Sequence, residues 1–292
     1  MSRVRRLAGF PRIGPTAHYT GYVWARNGLS HPELATTEGR ILFDSLQPAM
    51  LASRALGGPT LEAYLLARHR TIDALLERAI DRDEVSQVIE VAAGLSPRGW
   101  RFTQRHGGRL TYVEADLPEM AARKRAALKR MGSLNDRHRV EEVDALRDDD
   151  GPGSLAAIAA GLDRGQGLAI ITEGLLGYLL TDSVHGLWRR FASSLGEFPR
   201  GRYISDLHLG GAVTPQVRAF RLLLSAFVRG RVYLHFDDAR EAEAALTTAG
   251  FGSADVRRAM DVIAAGDDRE RGVRLANILE ASINEPPEAS AT

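Results

Sequence analysis

The sequence predicts an α/β protein of the Rossmann-like type, in which a mostly parallel, doubly wound sheet carries a helical N-terminal cover. Two observations predict this fold. Short apolar, β-branched runs at residues 88–92 and 167–172 have the composition of buried parallel strands. Segments with helical spacing separate such runs along the chain, as the crossover connections of a parallel sheet require. Ligands of such sheets bind beyond the carboxyl ends of the strands.

The first third of the chain precedes any strand pattern. Residues 1–30 are rich in glycine, proline, histidine and aromatic side chains and fit neither the helical nor the strand period, so we expect an irregular arm or lid. Residues 32–80 have helical spacing and predict two or three helices. The clearest of them begins after Thr60, a good N-cap residue, with Leu61 and Leu65 at the start of its apolar stripe.

The remaining elements alternate along the chain. Further strands are predicted at residues 110–113, 139–143, 202–206 and 232–236, and helices at 117–131, 155–162, 183–195 and 240–249. We therefore expect three segments: arm and cover helices at 1–84, one catalytic domain at 85–283, and a disordered tail at 284–292.

The composition excludes several classes of protein. The 292 residues carry a formal charge of +1, so bulk electrostatics gives no reason to expect nucleic acid or an anionic membrane as a partner. The absence of cysteine excludes disulfide scaffolds, zinc–cysteine sites and thiol nucleophiles. No apolar run reaches the length of about 18 residues that a membrane span needs, and no signal-peptide pattern is evident. We expect a cytoplasmic protein with a small-molecule substrate; its oligomeric state stays open.

Successive predicted strands end in a small or acidic residue: Gly94, Asp116, Asp144, Glu173 and Asp206. No metal-binding pattern accompanies these acids, so we predict no metal. The turn at Gly94 lacks the glycines and lysine of a phosphate-binding loop. One glycine followed about twenty residues later by an acid does suit a nucleoside, whose ribose hydroxyls the acid can accept.

Four ordered motifs carry a resemblance to a known family. They are VIEVAAGLSPRGWR at 88–101, YVEADLP at 112–118, VD at 143–144 and TEGLLGYL at 172–179. In order and spacing they resemble the leucine carboxyl methyltransferase superfamily, which includes bacterial polyketide carboxyl methyltransferases; bacterial azetidine-2-carboxylate synthases also look like methyltransferases of this sort. The resemblance covers roughly residues 60–210 and implies a class I methyltransferase fold that binds S-adenosyl-L-methionine.

The resemblance also implies roles for individual residues. Gly94 would lie under the methionine portion of the cofactor, Asp116 would hold the ribose, and Asp144 with Ala145 would flank the adenine. Glu173 would approach the amino group of the methionine portion.

A family arginine that pairs with the methionine carboxylate corresponds to Arg68, with Arg70 as the competing assignment. The sequence departs from the family at Ala92, where glycine is common, and at Gly177, which leaves no side chain just before Tyr178.

A sulfonium is already activated, so methyl transfer needs placement and exclusion of water more than it needs an acid or a metal. An acceptor carboxylate needs no base, whereas a phenol or amine does. Candidate bases are His18, His208 and Asp206, and Tyr178 is a candidate positioning group. Aromatic rings that could surround the sulfonium through cation–π contacts are Tyr19, Tyr22, Trp24 and Tyr178.

Three functions follow from this interpretation. The first is an O-methyltransferase that acts on a carboxylate in bacterial natural product biosynthesis. The alternative is cyclisation of S-adenosyl-L-methionine itself to azetidine-2-carboxylate and methylthioadenosine, for which Tyr178, Ser205 and Asn135 are candidate residues. The minor alternative is a non-catalytic protein that only binds the cofactor.

Overall fold

The computed structural model describes residues 14–55, 57–211, 232–263 and 276–284. In these residues a seven-stranded sheet has the order β3-β2-β1-β4-β5-β7-β6. Its strands are β1 (Gln87–Val91), β2 (Thr111–Asp116), β3 (His138–Glu142), β4 (Leu168–Thr172), β5 (Gly201–Leu207), β6 (Ser253–Arg258) and β7 (Asn277–Ile283). The pairs within β1 to β5 are parallel, and β7 is antiparallel to both β5 and β6. The mostly parallel α/β fold is thus confirmed.

Helices surround this sheet. They are α1 (Gly14–Arg26), α2 (Thr37–Ala55), α3 (Leu61–Asp81), α4 (Arg98–His106), α5 (Pro118–Arg130), α6 (Leu155–Ala160), α7 (Thr181–Leu195) and α8 (Ala239–Ala249). Strands β1 and β4 are buried along their whole length, because the apolar side chains of α3 pack on one face of the sheet and those of α7 on the other. Helices α1 to α3 form the predicted N-terminal cover.

Several local predictions are confirmed and others are wrong. Thr60 is the N-cap of α3, and its hydroxyl accepts the Ala63 N–H at 3.2 Å. The irregular arm expected at residues 1–30 is wrong for its described part, since residues 14–26 form α1. The strand expected at 232–236 is also wrong: residues 232–235 have no regular structure, and Phe236 makes a single bridge to Leu209.

The sequence analysis did not predict α4, β6 or β7. The tail expected at 284–292 lies outside the described residues except for its first residue. In the described ranges, no helix combines the length and apolarity needed to span a membrane.

Candidate functional site

A cavity of about 1020 Å³ opens at the carboxyl ends of β1, β2 and β4, and helices α1, α2 and α3 close its other side. Small-molecule sites have volumes of roughly 300–1,000 Å³, so this cavity is at the upper end of that range. It lies where the strand order reverses between β1 and β4, the usual ligand position in such sheets. Predicted site residues that line it are Arg68, Gly94, Asp116, Asp144, Ala145, Glu173 and Tyr178.

Asp116 ends β2 and is held by the turn that follows β1. The Gly94 N–H donates to Asp116 Oδ2 at 2.7 Å, and the Leu117 N–H donates to Oδ1 at 2.7 Å. A carboxylate can accept about four hydrogen bonds, so Asp116 can accept further donors from a ligand in the cavity. Burial raises the pKa of this carboxyl above its ordinary value, although the two backbone N–H groups lower it. The arrangement suits a ligand with adjacent hydroxyl groups.

The turn before Gly94 contains the alanine that departs from the family pattern. Ala92 lines the cavity with φ at +56°, in the left-handed region that glycine adopts without strain. An alanine there costs about 1–2 kcal/mol. The backbone therefore keeps the glycine-type conformation although the side chain has changed.

Arg68 reaches the cavity from α3 and is only 7% exposed. Its Nε donates to Glu173 Oε1 at 3.0 Å, and its Nη1 donates to Asp206 Oδ2 at 3.3 Å. Burial opposes the charge, but Asp206 and Glu173 raise the pKa of Arg68 above its ordinary value. A guanidinium has five N–H donors, so it can hold these two acids and also bind a ligand carboxylate. Arg70, the competing assignment, does not line the cavity.

Gly174 allows Arg68 to lie at the end of β4. Its φ is +70°, and its N–H donates to Asp206 Oδ1 at 2.6 Å. A Cβ at this position would lie 2.9 Å from Arg68 Nη2 and 3.1 Å from Nη1. Asp206 thus positions both the turn and the guanidinium, and it does not itself line the cavity.

A buried ionic network, defined here as Arg98 with Glu173, Asp73 and Glu90, holds Glu173 from behind. Arg98 is fully buried; its Nη2 donates to Glu173 Oε2 at 2.6 Å, its Nε to Asp73 Oδ1 at 2.7 Å, and its Nη1 to Glu90. His69 Nδ1 lies 2.8 Å from Glu173 Oε2. Burial alone would raise the pKa of Glu173, but His69, Arg98 and Arg68 lower it well below its ordinary value.

Both oxygens of Glu173 are therefore engaged by side chains of the protein, whereas the family resemblance had it approach a ligand amino group. The sequence analysis missed Arg98, His69, Asp73 and Glu90. The one signal for this network was Glu90, a charged residue within a fully buried strand.

Besides Asp206 and Arg70, four further predicted residues lie outside the cavity lining. Ser205 is fully buried and hydrogen-bonded to Thr172 and to the Asp206 carbonyl. The Asn135 side chain accepts N–H groups within the turn before β3. Tyr19 and Tyr22 pack against Phe43 between α1 and α2. Catalytic roles were expected of the first pair and cofactor contacts of the second, and the structure places all four side chains away from the cavity lining.

Further polar groups line the cavity. Tyr64, which the sequence analysis missed, has its hydroxyl 2.9 Å from His208 Nε2. The Tyr178 hydroxyl is hydrogen-bonded to the Thr16 side chain of α1, so it joins the cover to the sheet. His18 Nδ1 is 2.9 Å from the Thr36 hydroxyl, and the His18 ring lies beside Arg123.

Within the part of the chain that the structure describes, no three acidic or histidine side chains form a metal-binding group.

The chain is similar to known proteins in sequence and in fold. A family model described as leucine carboxyl methyltransferase matches residues 30–192. A relative from Frankia alni, named provisionally as an S-adenosyl-L-methionine-dependent methyltransferase, is 36% identical over 126 residues, which are 43% of this chain and 42% of that protein. The chain thus matches less than half the length of that relative, and the same holds for relatives from Mycolicibacterium gilvum and Mycolicibacterium smegmatis, at 31% and 37%.

Two solved structures share the fold. One, from Thermobifida fusca and named provisionally as a methyltransferase, has a TM-score of 0.62 at 14% identity and covers 93% of this chain and 98% of its own. PigF, solved with SAH, has a TM-score of 0.50 at 17% identity over 72% of this chain and 53% of its own. At these identities the likeness shows the fold alone.

Proposed function

The chain belongs to the leucine carboxyl methyltransferase family, and from that premise we propose that it binds S-adenosyl-L-methionine and methylates a carboxylate of a small-molecule acceptor. One observation carries the proposal: Arg68 and Asp116 line the same cavity at the strand ends. These two groups match two polar parts of the cofactor, its methionine carboxylate and its ribose. The methionine carboxylate suits a buried guanidinium, and the ribose hydroxyls suit a carboxylate that already accepts two backbone N–H groups.

The remaining lining fits the other parts of the cofactor. Asp144 and Ala145 follow β3, and Leu117 is 39% exposed beside Asp116, so this end offers a partly apolar surface for the adenine ring. Trp24 and Tyr178 line the cavity as aromatic rings that can stabilise a positive sulfur. Tyr19 and Tyr22 do not share this role, because their rings pack between helices.

When bound, S-adenosyl-L-methionine supplies an activated methyl group: the acceptor oxygen bonds to that carbon as the carbon–sulfur bond breaks, and the electron pair stays on sulfur. The protein then has to bind, orient and exclude water. A carboxylate is ionised at neutral pH, so this acceptor requires no proton transfer. Arg68 and Asp116 hold the two ends of the cofactor, and helices α1 to α3 cover the cavity.

The cyclisation to azetidine-2-carboxylate has less support. Two of its three candidate residues, Ser205 and Asn135, lie outside the cavity lining. The cavity also continues along α2 past Ile41 and Leu42, which offers space for a second molecule. Methyl transfer to a separate acceptor uses that space, whereas an intramolecular cyclisation does not.

Product analysis tests the proposal. Purified protein is incubated with S-adenosyl-L-methionine, with and without a panel of carboxylic acids, and the products are identified by mass spectrometry against a sample without protein. We expect S-adenosylhomocysteine and a methyl ester only when an acid is present. Methylthioadenosine with a four-carbon amino acid, formed without acceptor, would establish the cyclase instead. Cofactor binding without turnover on carboxylate, phenol or amine acceptors would favour the non-catalytic alternative.

Replacing Gly174 with alanine is expected to weaken cofactor binding roughly tenfold or more while the protein stays folded. The new Cβ would lie 2.9–3.3 Å from three guanidinium atoms of Arg68, and the positive φ disfavours alanine by about 1–2 kcal/mol. Calorimetric titration with S-adenosylhomocysteine measures the effect. Gly186→Ala in α7 is the matched control, because the three atoms nearest to its Cβ would all belong to Arg190, at 3.5 Å or more. Equal affinities of the two variants would contradict the position of Arg68 in the site.

A further inference from the structure

The face of α3 that lines the cavity changes in character along the helix. Leu61, Leu65 and Arg68 follow at helical spacing, with Tyr64 one turn before Arg68 on the same face. Helix α3 leads into β1 through a short connection, so it runs back against the strand direction and its first turn rises above the carboxyl edge of the sheet. The lining therefore proceeds from a charge at the strand ends, through a hydroxyl, to apolar side chains farther out.

The hydroxyl in this series has a defined partner. Tyr64 Oη lies 2.9 Å from His208 Nε2, and His208 follows the last residue of β5 directly. Tyr64 is 2% exposed, and burial raises the pKa of its hydroxyl far above the ordinary value, so it stays a phenol that can donate a hydrogen bond. The Tyr64 ring also lies beside the Arg68 guanidinium, whose central carbon is 5.8 Å from the ring centroid. The pair thus adjoins the group assigned to the methionine carboxylate.

Apolar side chains surround the outer part of the cavity. We define the apolar wall as Ile41 and Leu42 of α2 with Leu61 and Leu65 of α3, all of which line the cavity. Leu61 and Leu65 are buried, whereas Ile41 is 62% exposed, so the wall extends from the interior to the solvent. Concave surfaces lined by apolar side chains are typical of sites that hold the hydrocarbon part of a small ligand.

We propose that Tyr64 binds the acceptor and that the acceptor is a small carboxylic acid with an apolar body. The Tyr64 hydroxyl donates to the acceptor carboxylate, the apolar wall holds the hydrocarbon part, and His208 acts as a positioning residue through its hydrogen bond to Tyr64. This inference rests on the proposed function, because Arg68 is taken as the anchor of the cofactor.

Octanoate is the probe, with acetate lacking the apolar body and octan-1-ol lacking the carboxylate. Each is titrated by calorimetry into the protein saturated with S-adenosylhomocysteine, and again into the protein alone. We expect octanoate to bind at least roughly tenfold more tightly than either comparison compound, since each buried methylene and the charged hydrogen bond contribute. Comparable binding of acetate, or no binding of octanoate, overturns the inference.

Variants separate a role in acceptor binding from a merely structural one. Tyr64→Phe is expected to weaken octanoate binding roughly 10- to 100-fold, the value of a hydrogen bond to a charged group. It is expected to weaken S-adenosylhomocysteine binding several-fold less, because the Tyr64 hydroxyl is hydrogen-bonded to Arg68 but does not itself hold the cofactor. His208→Gln, which keeps an N–H donor, is expected to lose less affinity for octanoate than His208→Leu. Tyr203→Phe is the matched control, because its buried hydroxyl bonds Thr172 away from the cavity lining.

These experiments distinguish a failure of the proposed function from a failure of the acceptor assignment. Absence of S-adenosylhomocysteine binding contradicts the proposed function, and the titrations without it still test the octanoate site. Normal S-adenosylhomocysteine binding together with equal octanoate affinity in Tyr64→Phe and the parent overturns the acceptor assignment alone. In turnover, the same substitution is expected to raise KM for octanoate more than it lowers kcat.

Discussion

Replacing Arg98 with methionine is expected to lower the free energy of unfolding by about 3–5 kcal/mol, the effect of removing one partner from a buried ion pair. Arg98 is fully buried and contacts Glu173, Glu90 and Asp73, so its loss leaves three carboxylates without their shared cation. Urea denaturation followed by circular dichroism measures the change. Domains of ordinary stability have about 5–15 kcal/mol, so the variant should still fold.

Arg101→Met is the matched control for this prediction. Arg101 lies one turn further along α4 and also contacts Asp73, at 2.6 Å, but its side chain is 25% exposed. An ion pair of this kind contributes roughly 0–1 kcal/mol. If Arg98→Met reduces stability no more than Arg101→Met does, the buried ionic network does not stabilise the fold.

The pH dependence of the free energy of unfolding gives a second test of the buried ionic network. The pKa of Glu173 is depressed in the folded protein, so its ion pairs contribute stability that is present above the unfolded value of about 4.3 and is lost as the pH falls through the folded value. Without Arg98 this pKa rises and part of that contribution is absent. The stability difference between parent and variant should therefore be largest near neutral pH and shrink on acidification.

The central strands could be predicted because their burial is encoded locally. Strands β1 and β4 are short β-branched runs buried on both faces, and α/β alternation places them in a parallel sheet. Strand β6 could not be predicted in this way, since it is an edge strand with a single buried residue, Val256. Strand β7 lies between β5 and β6, so its place in the sheet depends on pairings distant in sequence.

The cover helix α1 was missed for a different reason. Its glycines and aromatics read as an irregular segment, yet Tyr19 and Tyr22 pack against α2, and a Cβ at Gly21 would lie 3.1 Å from the Leu34 carbonyl oxygen. The same close packing restricts α2. A Cβ at Gly39 of α2 would lie 2.1 Å from the His18 carbonyl oxygen of α1. Composition alone cannot distinguish a glycine that loosens the backbone from one that permits two helices to touch.

The site residues likewise fall into two groups: those that follow a predicted strand, and those that only the fold brings to the site. Gly94, Asp116 and Glu173 could be found because each follows a predicted strand, and parallel strands bring their carboxyl ends to one edge. Arg98 and Tyr64 lie on helices and act through side chains from distant elements, so only the fold brings them to the site. Ser205 and Asn135 show the converse: nearness to a strand end does not place a side chain in the cavity.

Replacing Asp116 with alanine is expected to weaken S-adenosyl-L-methionine binding by roughly 100-fold or more, under the proposed function. Two hydrogen bonds from ribose hydroxyls to a carboxylate contribute about 1.5–3 kcal/mol each, and the variant also loses the acceptor that holds the Gly94 N–H at 2.7 Å. Calorimetric titration of the parent and the variant with S-adenosylhomocysteine measures the loss without turnover.

Asparagine at position 116 separates the charge from the geometry. Asp116→Asn keeps one acceptor oxygen but no charge, so its affinity is expected to lie between those of the parent and Asp116→Ala. The raised pKa of Asp116 adds a pH signature: the parent should lose affinity on acidification at a pH above the ordinary aspartate value of about 3.9, because the protonated carboxyl is a poorer acceptor. Asp116→Asn should lack that dependence. An affinity of Asp116→Ala equal to the parent's would remove Asp116 from the cofactor site.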